Sequence, residues 1–245
     1  MTYLEPINNS VAPLRNVGAL NELIDRVQHR GPNLPGMACF YGPSGYGKTT
    51  AAAWNVNASS AHHIEVKSVW SRKHFCAAIV KELALPPART LAGMVEQIGE
   101  ELSKTGRPLL IDEADLLASD ASIKVVKDIY ESCHGTIILI GEETLPQQLT
   151  RWERVHGRML DWVAAQPADL REVGLLAQIH CPGLDIEPAL LGAVLKQSNA
   201  SMRRICVNLQ GITEQARKKG LRKVGLSDCD VARFFTGSAP APRRF

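Results

Sequence analysis

The sequence predicts an α/β fold: a parallel sheet sandwiched between helices, followed by a small C-terminal α-helical domain. Three observations carry this expectation. Short apolar runs, MACFY, HIEVKSV, PLLID, GTIILIG and LDWVAA, recur with helical patterns between them, as the strands of a parallel sheet covered on both faces do. The first of these runs leads at once into a glycine-rich loop and a helical pattern, GPSGYGKTTAAAW. Beyond about Pro167 the strand-like runs stop, and four helical patterns follow: DLREVGLLAQI, EPALLGAVLKQS, MRRICVNLQGITEQARKK and SDCDVARFF.

Taken in order, residues 1–36 read as a polar lead and one amphipathic helix, VGALNELIDRVQHR, which GPNLPG stops and which packs on the core. Residues 37–167 hold the strand runs and form the expected α/β domain. Residues 168–236 form the helical domain, and 237–245, GSAPAPRRF, have the composition of a disordered tail. No internal repeat is visible. A length of 245 residues with 45% hydrophobic side chains supports one large core, or a core with a small satellite.

No apolar run is long enough to span a bilayer, and MTYLEPINNS lacks the basic start and apolar core of a signal peptide. A soluble, cytoplasmic protein without a membrane partner is expected, in a bacterial or phage-infected cell. Cys39, Cys76, Cys133, Cys181, Cys206 and Cys229 are widely spaced and read as buried thiols, with neither a zinc pattern nor a disulfide framework. Net charge is only +3, but from Lys196 onward there are eleven Lys/Arg against three Asp/Glu. That bias fits a polyanion partner or a solvated helix face.

The chemistry begins at Gly42-Pro43-Ser44-Gly45-Tyr46-Gly47-Lys48-Thr49, which satisfies G-x-x-x-x-G-K-[ST] between a strand and a helix. The glycines let backbone N–H groups turn inward onto phosphate, Lys48 is placed for the β- and γ-phosphates, and the Thr49 hydroxyl is a ligand for Mg²⁺. Thr50 follows on the same helix start. ATP with Mg²⁺ is the expected cofactor pair. PLLIDEAD supplies the second half: an apolar strand ending in Asp112 holds a carboxylate for the Mg²⁺ shell, and Glu113 is placed to orient and deprotonate a water. The plainer alternative is an acidic helix cap after a buried strand. Adjacent Asp and Glu favour water over a metabolite as the acceptor, so hydrolysis to ADP and phosphate is expected. RWERVHGR then puts Arg151, Arg154 and Arg158 close together, with only Glu153 nearby in sequence to balance them.

With GPSGYGKT, LLIDEAD, IILIGEE, the arginine cluster and SMRRI in succession, the chain resembles an AAA+ ATPase over most of residues 14–235. The resemblance implies a nucleotide held between subunits of a ring or filament, with an arginine finger from the neighbour. Arg158, directly before MLDWVAA, is the first choice for that finger, Arg154 the second and Arg151 the third. An arginine suits the role because its charge is permanent and its fork matches phosphate oxygens. Arg203 of SMRRI matches the sensor 2 position, with Arg204 as the fallback. At the sensor 1 position the chain departs from the usual Asn, Ser or Thr and offers Glu142, Glu143 and Thr144, which puts the hydrolysis rate in question.

LIGEE combined with RWERVHGR in a short chain resembles the transposition protein B group of Mu-like phages and related target-selecting ATPases. That resemblance implies self-assembly on double-stranded DNA with ATP, marking of target DNA and stimulation of a partner transposase. Expected sequence-independent DNA contacts are Trp70, Arg72 and Lys73 in VWSRKHF, with His74 beside them, and Lys124 on the helix after PLLIDEAD. The RKKGLRK run, 217–223, fits a helix-dipole, DNA or transposase contact equally. Two other readings remain open: a helicase-loader, initiator or secretion-associated ATPase, and a nucleotide-dependent DNA scaffold with very slow hydrolysis.

Overall fold

The computed structural model describes residues 14–118 and 122–239. The lead 1–13 and the last residues of the expected tail, 240–245, lie outside the described residues. The chain divides into two compact units: residues 15–44 with 48–165, and Gly45–Gly47 with the residues from Gln166 onward.

The larger unit is built on five strands, β1 (Met37–Tyr41), β2 (His62–Glu65), β3 (Leu109–Asp112), β4 (Ile137–Gly141) and β5 (Met159–Ala164). They pair in the order β2-β3-β4-β1-β5, and every pairing is parallel. Met37 to Phe40, Leu109 to Ile111 and Ile137 to Ile140 are buried throughout, which explains why these strands read as continuous rather than alternating apolar runs. Parallel pairing also brings the carboxyl ends of all five strands to one edge. HIEVKSV is strand only through Glu65. Val66 N–H still donates to the Asp112 carbonyl at 3.0 Å, and Trp70 N–H then closes a turn onto the Lys67 carbonyl.

Helices cover the sheet: α1 (Arg15–Gln28), α2 (Lys48–Ala58), α3 (Arg72–Glu82), α4 (Leu91–Thr105), the short α5 (Asp115–Ala118), α6 (Ile123–Cys133), α7 (Leu145–Thr150) and α8 (Glu153–His156). The apolar stripe of α1, Val17, Leu20, Leu23, Ile24 and Val27, is buried where the helix meets α2, β1 and β5. Each such fully buried aliphatic side chain contributes about 1.5–3 kcal/mol. Caps fix the helix starts: Ser71 Oγ accepts the His74 N–H before α3, and Thr90 Oγ1 accepts the Gly93 N–H before α4.

The smaller unit contains α9 (Leu170–His180), α10 (Pro188–Gln197) and α11 (Met202–Lys219). Asp169 and Glu172 form a reciprocal capping box at the start of α9, and Pro188 opens α10 without losing a hydrogen bond. Two expectations are corrected here. Strand structure does not stop at Pro167, because β6 (Asp185–Ile186) and β7 (Lys223–Val224) form a two-stranded parallel ladder. SDCDVARFF is not an α-helix but two 3-10 turns, Leu226–Asp228 and Val231–Arg233. The Asp228 carboxylate accepts the Gly225 N–H and that of Asp230 accepts the Ala232 N–H. Such local side-chain bonds compete with continuous helix.

All six cysteines are free; Cys133 and Cys206 are half-buried rather than buried. Among the described residues no helix is long and apolar enough to cross a membrane.

Candidate nucleotide-binding site

The carboxyl edge of the sheet gathers the groups that the motifs singled out. Gly42 N–H donates to the Gly141 carbonyl at 3.3 Å, and Ala114 N–H donates to the Ile140 carbonyl at 2.9 Å. The ends of β1, β3 and β4 are thereby stitched together, and with them the start of the glycine-rich loop, Asp112 and the segment 142–144.

Lys48 opens α2. Its Nζ donates to the Gly42 carbonyl at 2.6 Å and the Pro43 carbonyl at 3.0 Å, so the loop is wrapped around its own lysine. Burial pulls the Lys48 amine below its ordinary value, against the opposing pull of Asp112, Asp115, Glu142 and Glu113. Four carboxylates therefore face one ammonium, and the cluster is short of positive charge. Thr49 and Thr50 follow, exposed, in the first turn of the helix.

Asp112 is 2% exposed. Its Oδ1 accepts the Glu113 N–H at 2.9 Å, while its Oδ2 is closed to solvent and has no hydrogen-bond partner among the described residues. Burial alone would raise this carboxyl, but His63, Thr49 and the Glu113 N–H together hold it below the usual aspartate value. A buried, ionised oxygen without a donor is costly unless a cation or a bound proton reaches it. The hard oxygens of Asp112 and the Thr49 hydroxyl are the donor types Mg²⁺ takes, so the residues present fit that ion together with a nucleotide phosphate.

Glu113 has φ 56°, left-handed for a residue with a Cβ. Such conformations cost about 1–3 kcal/mol and collect at functional sites. Burial raises its carboxyl above the glutamate value, with repulsion from Asp112, Asp115 and Glu142 adding to the effect and Lys48 opposing it. That is the direction a proton acceptor at neutral pH needs.

Two residues at this edge had no individual signal in the sequence. Asp115, at the start of α5, accepts the Glu142 N–H with both carboxylate oxygens, at 2.9 and 3.1 Å. It anchors the backbone at Glu142, while the Glu142 side chain stands exposed. His63 lies on β2 with Nε2 3.8 Å from Asp112 Oδ2. DEAD could have drawn attention to Asp115, but nothing in HIEVKSV says which strand becomes the neighbour of PLLID.

In the smaller unit, Gly45 and Gly47 adopt φ 84° and 80°, and a Cβ on Gly45 would come within 2.5 Å of Ser201 Oγ. Both conformation and space demand glycine at position 45. The Gly45 carbonyl accepts the Arg203 N–H at 3.1 Å, so Arg203 starts α11 beside the loop tip, exposed. Arg204 turns its guanidinium against Gly237 instead.

The arginine cluster is not uniform. Arg158 Nη2 pairs with Glu131 Oε1 at 3.0 Å, and Glu131 also holds Lys127 at 2.9 Å. Arg151 and Arg154 are exposed and line a cleft with Lys124, Lys127, Asp128 and Trp152. Lys124 Nζ stands 5.0 Å above the Trp152 ring, whose Nε1 donates to the Ala118 carbonyl. Lys124 therefore belongs with the arginine cluster. Arg72 and Lys73 are exposed in the first turn of α3, which contains no acidic residue. Two cations at the positive end of a helix dipole run against local preference. Trp70 is half-buried and packs against the core.

Residues 33–149 match the sequence profile of a family described as "AAA domain". No curated protein matches the chain. Among solved structures, the ORC2 protein of Aeropyrum pernix, described in ADPNP-ADP complexes, is similar with TM-score 0.68 at 16% identity, covering 90% of this chain and 68% of that one. The Aeropyrum pernix ORC1 protein in complex with DNA is similar with TM-score 0.63 at 16% identity, over 89% and 64%. The RuvB Holliday junction branch migration motor of Thermotoga maritima gives TM-score 0.57 at 18% identity, over 89% and 67%. The fold is thus the P-loop AAA+ α/β fold, with the five-stranded parallel sheet flanked by helices.

Proposed function

We propose that this chain is an AAA+ ATPase that binds ATP with Mg²⁺ at the carboxyl edge of the sheet, assembles on double-stranded DNA and hydrolyses ATP slowly in the assembled state. The observation that carries the reading is the solvent-closed Asp112 Oδ2, without a hydrogen-bond partner among the described residues, on the same sheet edge as a lysine held by loop carbonyls. Both groups are left with chemistry that a Mg²⁺-nucleotide completes. Lys48 exchanges the Gly42 and Pro43 carbonyls for phosphate oxygens. Thr49 and Asp112 would hold Mg²⁺, which when bound would offset the charge on the phosphate oxygens. Glu113 takes the proton of the attacking water, and Asp115 holds the backbone at Glu142.

Assembly enters through the distance between Arg158 and Lys48. Met37 N–H donates to the Arg158 carbonyl at 3.1 Å, which sets Arg158 at the start of β1, whereas the glycine-rich loop begins at its end. At about 3.3 Å per strand residue the two ends lie roughly 16 Å apart, farther than an arginine side chain reaches. An arginine there serves the nucleotide of a neighbouring copy. DNA is gripped through its backbone by Arg72 and Lys73, with Trp70 and Lys124 as further contacts. Sequence resemblance to the transposition protein B group supports target marking and a partner transposase.

A second reading, an initiator-like ATPase, is favoured by the similarity to origin-recognition proteins, one of them described in complex with DNA. ATP turnover measured with and without duplex DNA tests the shared core of both. Stimulation by DNA with ATP-dependent filaments or rings in electron micrographs is expected, and turnover indifferent to DNA would sink it. Adding the cognate transposase separates the two readings: only a target selector stimulates strand transfer.

A further inference from the structure

His63 and Asp112 face each other across neighbouring strands in an unfinished contact. His63 is opposite Leu110 in the β2–β3 register, and Glu65 is opposite Asp112. The period-two alternation of strands puts all four side chains on one face of the sheet, the face away from His62 and Ile64. His63 Nε2 and Asp112 Oδ2 are 3.8 Å apart, both are closed to solvent, and neither has a hydrogen-bond partner among the described residues. An N–H···O bond spans about 2.7–3.2 Å, so a small rotation of either side chain closes the gap. The other carboxylate oxygen is already held by the Glu113 N–H.

We propose that His63 is a positioning residue for Asp112, donating its Nε2 proton to Oδ2 when Mg²⁺-nucleotide binds and thereby fixing the direction in which the carboxylate meets the metal shell. The inference rests on the nucleotide reading above. Its physical basis is general: a partner bonded to a metal-facing group fixes its orientation, and loss of such a partner typically weakens metal binding 10- to 100-fold. Unlike Thr49 or Lys48, His63 contacts neither phosphate nor metal. Its loss should register in metal affinity and not in metal-free nucleotide affinity.

The test uses the full chain with Mn²⁺ as the probe, free Mn²⁺ being followed by electron paramagnetic resonance in the presence of ADP. ADP affinity in EDTA is measured in parallel. His63→Leu is expected to weaken Mn²⁺ binding about 10- to 100-fold with EDTA-state ADP affinity unchanged. His63→Gln, whose amide N–H can still donate, is expected to recover most of the loss. Unchanged Mn²⁺ affinity in His63→Leu overturns the inference, and so does an equal fall in metal-free ADP affinity, which marks general damage to the site. Should the leucine variant not fold, His63→Asn, polar but too short to reach Oδ2, gives the same readout. Wild-type protein that binds no ADP overturns the nucleotide reading itself. Wild type that binds ADP with no gain from Mn²⁺ overturns the role of His63 together with the metal site at Asp112, and leaves nucleotide binding standing.

Discussion

Arg158 Nη2 and Glu131 Oε1 lie 3.0 Å apart, so the arginine that directly precedes β5 is engaged by its own chain. Assembly must break this pair before Arg158 can serve a neighbour. Exposed pairs contribute about 0–1 kcal/mol, so the exchange is not prohibitive. Glu131→Ala is expected to leave thermal stability almost unchanged while raising DNA-stimulated ATP turnover. Arg158→Ala is expected to abolish that stimulation, a loss of about a thousandfold if it acts as an arginine finger. An equimolar mixture of Arg158→Ala and Glu113→Gln should regain part of the turnover, because one variant supplies the arginine and the other the intact site. No recovery, with Arg154→Ala instead carrying the loss, moves the finger to Arg154.

In the proposed site Lys48 exchanges two loop carbonyls for phosphate oxygens. Charged hydrogen bonds of this kind contribute about 1.5–3 kcal/mol, so Lys48→Ala should weaken ATP binding roughly 10- to 100-fold in titration calorimetry. The fold should persist, since the side chain it removes is only half-buried.

With Glu113 as the proposed proton acceptor, the acid limb of the pH–rate profile should report its carboxyl. Its carboxyl is raised by burial and by the neighbouring carboxylates, and the ionised form is the one that accepts a proton. Turnover should therefore fall with decreasing pH at a midpoint above the ordinary glutamate value of about 4.3. Asp115→Asn removes one repelling charge while its amide oxygen still accepts the Glu142 N–H, and should move that midpoint downward. An unshifted midpoint would mean that another group controls the limb.

Gly141 is needed for space, and Asp115 is the reason. A Cβ at position 141 would collide with Asp115 Oδ2 and come within 2.7 Å of Leu145 Cδ2. Gly141→Ala should lower stability by about 1–3 kcal/mol, the usual cost of overpacking, read as a fall in the urea midpoint. Paired with Asp115→Ala, which removes the nearest atoms, much of the loss should return.

Arg72 and Lys73 should matter in proportion to salt. Arg72→Ala with Lys73→Ala is expected to weaken binding to duplexes of any sequence. If both contact phosphates, the slope of log affinity against log salt should become shallower by roughly 1.8, measured by fluorescence anisotropy. A slope equal to wild type would leave these cations with no part in the DNA interface.

Much of the proposed site was legible because the chemistry it rests on is local in sequence. Lys48 and Thr49 follow the glycines they work with, and Asp112 and Glu113 end one apolar run, so motif and strand pattern together identify them. His63, Glu131 and Asp115 act through contacts with residues far from them in the chain. His63 gains meaning only when β2 pairs with β3 rather than with β1, the strand that precedes it. Glu131 matters only because α6 ends near the start of β5. SDCDVARFF failed for the opposite reason: its apolar spacing suits a helix, but its aspartates bond to nearby N–H groups and hold it in short turns.

Composition, hydrophobic periodicity and two contiguous motifs by themselves determined a parallel α/β fold and pointed to its glycine-rich loop and two carboxylates as the proposed nucleotide site, since each depends on neighbours a few residues away. Tertiary structure alone decided the strand order, the pairing of Arg158 with Glu131 at the far end of β1 from Lys48, and the meeting of His63 with Asp112. Those outcomes depend on which surfaces the folded chain brings together, and a parallel sheet joins strands whose separation in sequence carries no local signal.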